Sequence, residues 1–191
     1  MLRKPGYLLK KILNQFIRAI IAVSGYVLLV RAGFQTDGRI RVARHVRLRA
    51  TDGGTACLAD AVSIDRFADI TVKFGHLEIG TRSYIGQYSV ICAREAIRIG
   101  TDCLIAEHVT IRDQDHTFGP GLTTAMAGFA TSPVTIGNNV WIGAKATVTK
   151  GVTIGDNVVI GANSVVTRDI PPNSVAVGAP ARVIRNLGPK L

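Results

Sequence analysis

Aliphatic residues recur at six-residue intervals along most of this chain. The series runs Leu58, Ile64, Ile70; Ile79, Ile85, Ile91; Ile99, Ile105, Ile111; Ile136, Ile142, Val148; and Ile154, Ile160, Val166. The next residue is Gly at positions 80, 86, 100, 137, 143, 155 and 161, often followed by Asn or Asp, as in "IGNN" and "IGDN". A six-residue unit is too short for a helix pair, so each unit must hold one short strand and one corner. Gly, Asn and Asp tolerate the positive φ that such corners require. Three units make a coil of about 18 residues, and stacked coils pair each strand in parallel with the one above while the aliphatic ladder fills a three-sided prism. Each buried aliphatic side chain contributes on the order of 1.5 to 3 kcal/mol before entropy is counted, so the stack and not the single repeat is the stable unit. The expected fold class is all-β.

The charge is placed unevenly. Residues 1–49 hold 11 Lys and Arg against one acid, Asp37, whereas residues 50–191 hold 12 of each sign. A neutral body with a basic end points to docking on something anionic, such as a membrane surface. The strands show no basic and aromatic interleaving, and no nucleic-acid motif is found, so nucleic acid is not an expected partner. Cys57, Cys92 and Cys103 have neither CxxC nor Cys/His metal spacing. They read as small buried fillers in a reducing cytoplasm, with no metal site.

Before the repeat, "YLLKKILNQFIRAIIAVSGYVLLV" places Leu9, Leu13, Phe16, Ile17, Ile20 and Ile21 at helical spacing with Lys10, Lys11, Asn14, Gln15 and Arg18 between them. The spacing predicts an amphipathic helix within a segment 1–34. The apolar run Ala19 to Val30 is shorter than the roughly 20 residues a spanning helix needs. Two readings stay open: the helix caps the open end of the stack, or it lies in a membrane interface with its cations toward the headgroups. A signal peptide is a third, although no typical cleavage site follows. The next stretch, "GRIRVARHVRLRA", reads as an opening strand pair, with Ile40, Val42, Val46 and Leu48 inward and Arg39, Arg41, Arg47 and Arg49 outward.

Residues 134–185, "VTIGNNVWIGAKATVTKGVTIGDNVVIGANSVVTRDIPPNSVAVGAPARVIR", closely resemble the C-terminal half of the hexapeptide-repeat O-acetyltransferases, which include galactoside, maltose, nodulation-factor and polysaccharide acetyltransferases. A weaker similarity reaches back to about residue 58, and residues 1–50 lie outside it. The resemblance implies a left-handed parallel β-helix over residues 35–185, followed by a tail 186–191. It also implies a homotrimer with active sites between neighbours, and acetyl-CoA as donor. Periodicity alone gives no handedness.

After Ile111 the repeat breaks and resumes only at Ile136, an insertion of about 19 residues. A prism wall offers no cleft, so a site needs something that projects from it, and Gly119, Pro120, Gly121 and the small residues at 123–128 make the insert 113–133 a loop rather than a helix. It begins "DQDH". Acetyl transfer from a thioester to a hydroxyl needs a base, and imidazole titrates near neutrality. The resemblance carries the family's catalytic His to His116. Asp113 and Asp115 are candidates to orient the imidazole or bind the acceptor, and equally read as an ordinary solvated turn. His108 in "AEHVT" either lines the acceptor site or is an exposed strand residue; His76 and His45 read as structural.

By the same resemblance Trp141 packs on the pantetheine arm of CoA, Ala144 offers a backbone N–H near the thioester, and Ala162 contacts the arm. Thr167 and Arg168 lie toward the nucleotide, and Arg182 and Arg185 meet its phosphates. Trp141 also reads as a wall or interface residue, Ala144 and Ala162 as corner fillers, and Arg182 and Arg185 as a solvated tail. Arg168 stands where the family often has Lys, and Ala144 where it often has Ser. "DIPPNSVAVGAP" is expected to end the prism and turn the chain back beside its last coil.

The expected activity is transfer of acetyl from acetyl-CoA to a hydroxyl of a sugar or other small-molecule or glycan acceptor. A lipid-linked or cell-envelope glycan precursor at the inner membrane face is the expected acceptor of a cytoplasmic enzyme. The alternatives are a non-catalytic β-helical assembly module and a γ-type carbonic anhydrase. The latter typically wants two His five apart, whereas His108 and His116 are eight apart.

Overall fold

The structure, a computed structural model, describes residues 33–123 and 125–188. The helix expected within residues 1–34, with its capping and membrane readings, therefore falls outside the described residues apart from the last two positions. Among the described residues no helix is long and apolar enough to cross a membrane.

Three walls of six, eight and six strands, parallel throughout except for the last strand of the second, enclose one apolar core. The six-residue ladder is the register of those walls. Leu58, Ile79, Ile99, Ile136 and Ile154 follow one another in wall one, Ile64, Ile85, Ile105, Ile142 and Ile160 in wall two, and Ile70, Ile91, Ile111, Val148 and Val166 in wall three. All fifteen are buried. The chain runs from wall one round the first corner to wall two, round the second corner to wall three, and round the third corner to the next coil.

Positive φ and glycine turn out to serve different positions. The left-handed conformation falls two residues after the position that so often holds Gly: Phe67, Tyr88, His108, Lys145 and Asn163 on the second corner have φ of 63°, 57°, 58°, 60° and 58°. The glycines answer a different demand, the close stacking of corners. A Cβ on Gly86 would sit 2.5 Å from the Ala106 carbonyl carbon, so even one carbon forces the coils apart. Gly86→Val is expected to lower stability by about 1 to 3 kcal/mol or more, seen as a lower urea midpoint; an unchanged midpoint would show that the corners are not in contact there.

The early coils are wider than a strict hexad predicts. Ile70 to Ile79 is nine residues and Ile91 to Ile99 is eight. The extra residues lengthen the strands on both sides of the third corner, as in Asp69–Lys73 and His76–Ile79, and bury Val72, Leu77, Ala93 and Ile97. Later strands such as Thr147–Val148 keep two residues. The opening stretch is not a pair of strands side by side: Arg41–Val42 belongs to wall two and Arg47–Thr51 to wall three. Its arginines do face outward, with Arg47 donating to Asp69 at 3.1 Å.

At the other end the prism continues past Pro171 and Pro172. Ser174–Gly178 still stacks in parallel on Val159–Ile160, and the chain reverses only at 179–180 to return as Ala181–Asn186, antiparallel beside it. The prolines lie at an exposed turn, where their missing N–H leaves no ladder bond unmade.

Candidate functional site

Thr110–Arg112 runs along wall three into the third corner, where the chain leaves the prism instead of turning. The insert is more ordered than the expected loop. Gln114–His116 pairs antiparallel with Phe129–Thr131, with Gln114 opposite Thr131, Asp115 opposite Ala130 and His116 opposite Phe129. A two-stranded ribbon thus stands on the corner, and alternation along it sends Asp115 and His116 to opposite faces.

Asp113 roots the ribbon. It is fully buried, and its carboxylate accepts the Arg94 N–H at 2.8 and 3.0 Å and the Glu95 N–H at 2.7 Å. Its carbonyl accepts the Ser132 N–H at 2.9 Å. The expectation that Asp113 orients the imidazole or binds an acceptor is not met, because its oxygens are occupied by the corner of the coil below. Asp115 faces the coil above, 3.8 Å from Lys150 Nζ. Among the described residues no side chain hydrogen-bonds to His116. Its exposed imidazole instead lies 4.3 Å from the Phe129 ring, tilted by 37°.

Sequence reasoning missed Arg94, which adjoins the Phe129 ring, and Phe74, which adjoins Arg94. The Arg94 guanidinium carbon lies 3.9 Å from the Phe129 centroid and 5.2 Å from that of Phe74. Both Arg94 and Phe74 occupy the third corner of widened coils. The available signal was the nine- and eight-residue spacing, which marks where the corner departs from a bare prism.

The second corner carries Ala144 and Ala162 in successive coils, where the Ala144 carbonyl accepts the Asn163 N–H at 2.9 Å. The Ala144 N–H donates to no backbone carbonyl among the described residues. Below them on the same corner His45, Phe67, Tyr88 and His108 form a stack with centroids 5.1, 4.9 and 5.0 Å apart and planes within 7° of parallel. His108 is thus the end of an aromatic ladder, a wall's width from the ribbon of its own chain. His76 sits on wall one, Nδ1 2.7 Å from Thr55 Oγ1 and Nε2 2.9 Å from Glu78 Oε1, in a surface network with Arg98.

Trp141 projects from wall two and is 53% exposed, a large indole left without cover in the single chain. A groove of about 220 Å³ lies beside it toward the first corner, with Asn139, Asn157, Asn173 and Leu187 in its lining. Arg182 and Arg185 are exposed on the last strand, opposite Val177 and Val175. Thr167 and Arg168 are exposed on the third corner, with His116 and not with Ala144. A larger cavity of about 390 Å³ on wall one, with Gln35, Cys57 and Glu78 in its lining, includes none of these residues. Burial pushes the Cys92 and Cys103 thiols above the usual range, which suits packing better than nucleophilic chemistry.

The residues so assembled divide between corners. His116, Thr167 and Arg168 stand on the third, Ala144 and Ala162 on the second, and roughly 15 Å of wall three separates them at ~3.3 Å per residue.

Residues 133–168 match the family described as the hexapeptide repeat of succinyl-transferase. The galactoside O-acetyltransferase of Escherichia coli is 44% identical over 114 residues, 59% of this chain and 55% of that one. The chain thus spans about half the length of the curated relatives it matches. Among solved structures, a maltose O-acetyltransferase from Clostridium difficile is 34% identical with a TM-score of 0.55, covering 83% of this chain and 72% of the other. A galactoside acetyltransferase in complex with coenzyme A is 45% identical with a TM-score of 0.56, over 59% of this chain and 56% of that one.

Proposed function

Since this chain belongs to the hexapeptide-repeat O-acetyltransferase family, whose fold is the left-handed parallel β-helix, we propose that it transfers acetyl from acetyl-CoA to a sugar hydroxyl, with His116 as general base and the site shared between copies of a homotrimer. The observation that carries this reading is the ribbon, which holds an exposed imidazole clear of the prism on a root fixed by Asp113.

The residues fit the donor. The unengaged Ala144 N–H can meet the thioester oxygen, the exposed Trp141 indole offers an apolar face to the pantetheine arm, and Arg168, Arg182 and Arg185 offer charge to the phosphates. In the proposed reaction His116 takes the proton of the acceptor hydroxyl as its oxygen attacks the acetyl carbonyl. The Ala144 N–H stabilises the oxyanion. The C–S bond then breaks, and the imidazolium returns the proton to the departing thiolate, so neither a covalent enzyme intermediate nor a metal is needed.

The division between corners supports the assembly. If the third corner of one copy meets the second corner of the next, base and donor residues converge, and repetition of this head-to-tail contact closes a ring. Each copy then supplies His116 to one site and Ala144 to another. His116→Ala and a blocking Ala144→Trp variant are each expected to be inactive, whereas subunits mixed by co-refolding should regain about a quarter of wild-type thiol release, the share of interfaces at which both partners are intact. No recovery, with mixed trimers demonstrated, would mean that each chain holds a complete site.

The basic N-terminal segment supports peripheral attachment at the inner face of a membrane, with a lipid-linked or envelope glycan as acceptor. Removing residues 1–32 should abolish co-sedimentation with anionic vesicles; unchanged sedimentation would remove this reading.

A further inference from the structure

Arg94 stands on the third corner one coil below the ribbon. Its backbone N–H is held by the Asp113 carboxylate at 2.8 Å, which ties the residue to the ribbon root. Its guanidinium carbon is 3.9 Å from the centre of the Phe129 ring and 5.2 Å from that of Phe74. Contact with a ring covers a face of the planar fork and leaves its in-plane N–H donors directed outward, an arrangement suited to two-pronged recognition of an oxyanion. Two lysines of the same corner have acidic partners, Lys73 with Asp52 at 3.5 Å and Lys150 with Asp115 at 3.8 Å. Among the described residues Arg94 has no carboxylate within ion-pair distance.

Phe129 joins this fork to the chemistry, because the same ring lies 4.3 Å from the His116 imidazole. The residues assigned to the donor all come later in the chain, from Trp141 onward, whereas Arg94 belongs to the coil before the ribbon. An anion bound at Arg94 therefore lies on the acceptor's side of the imidazole. We infer that Arg94 binds an oxyanion carried by the acceptor, which makes the substrate a phosphate- or carboxylate-bearing sugar rather than a neutral glycoside. This inference rests on the reading of His116 as the base that deprotonates the acceptor.

The test is titration calorimetry of the full chain with matched probes: glucose against glucose 1-phosphate, glucose against glucuronate, and inorganic pyrophosphate alone. The wild-type protein is expected to bind at least one oxyanion-bearing sugar ten-fold or more tightly than glucose, and the phosphate and carboxylate arms identify which anion is preferred. Arg94→Gln should weaken that binding by roughly 10- to 100-fold while leaving acetyl-CoA binding unchanged. Arg94→Lys, which keeps the charge and loses the fork, should fall between, and it carries the comparison if Arg94→Gln does not fold. Equal affinity for neutral and anionic probes, binding of pyrophosphate but of no anionic sugar, binding of none of the probes, or wild-type affinity in Arg94→Gln would each overturn the inference. His116→Ala should bind the anionic sugar normally and fail to acetylate it; full transfer by that variant would sink the base reading and leave the Arg94 result standing.

Discussion

His116→Ala is expected to lower kcat/KM for acetyl transfer by about 10²- to 10⁴-fold, the usual cost of losing a positioned general base. The thermal midpoint should be unchanged, because the imidazole is exposed and makes no side-chain hydrogen bond among the described residues. The affinity for acetyl-CoA should also hold, since in the proposed reaction the base acts on the acceptor's proton and other residues are assigned to the donor. Thiol release from acetyl-CoA with a saturating acceptor, together with a binding titration for the donor, would check both. A loss of less than about three-fold would be too small for a general base, and the ribbon would then be a positioning device for some other group.

Asp113→Ala is expected to cost about 2 to 5 kcal/mol of stability. Its carboxylate is the acceptor for two backbone N–H groups, those of Arg94 and Glu95. Each donor left unsatisfied in a dry corner costs about 1 to 3 kcal/mol. Asp113→Asn should be milder, because one oxygen still accepts while the amide presents a donor to a donor. Activity should fall alongside stability, since the strand that bears His116 starts at the next residue. Urea denaturation measures the first effect and thiol release the second. A midpoint within experimental error of wild type would mean that the ribbon is held by its strand pairing alone.

Much of the prism was legible because each ladder residue is fixed by one strong constraint, the burial of an aliphatic side chain at a repeated register. Ile85, Ile105, Ile142 and Ile160 fall in line because nothing else fills the axis. The corner chemistry was half legible: the glycines were visible, but their purpose is the approach of stacked backbones, while the positive φ went to residues as unlike as Phe67, Tyr88 and Lys145. Corner sequence does not reveal this, because the demand comes from the neighbouring coil.

That the chain leaves the prism after Ile111 was legible from where the repeat broke, but the surroundings of His116 were not. Asp113 and Asp115 look alike in "DQDH", yet one is buried among N–H donors and the other is paired with Lys150. Strand alternation separates Asp115 from His116, and no alternation was expected in a segment read as a loop. Arg94 and Phe74 escaped notice because they belong to other coils: Arg94 reaches the ribbon through the Asp113 carboxylate and the Phe129 ring, and Phe74 touches Arg94.

The ribbon is tied down at both feet, by Asp113 and by the Ser132 N–H on its carbonyl, while the described residues between 117 and 128, beyond the paired strands, place no side chain in the core. Substitutions confined to that stretch can therefore reshape the outer surface of the ribbon without removing a core contact from the coils beneath.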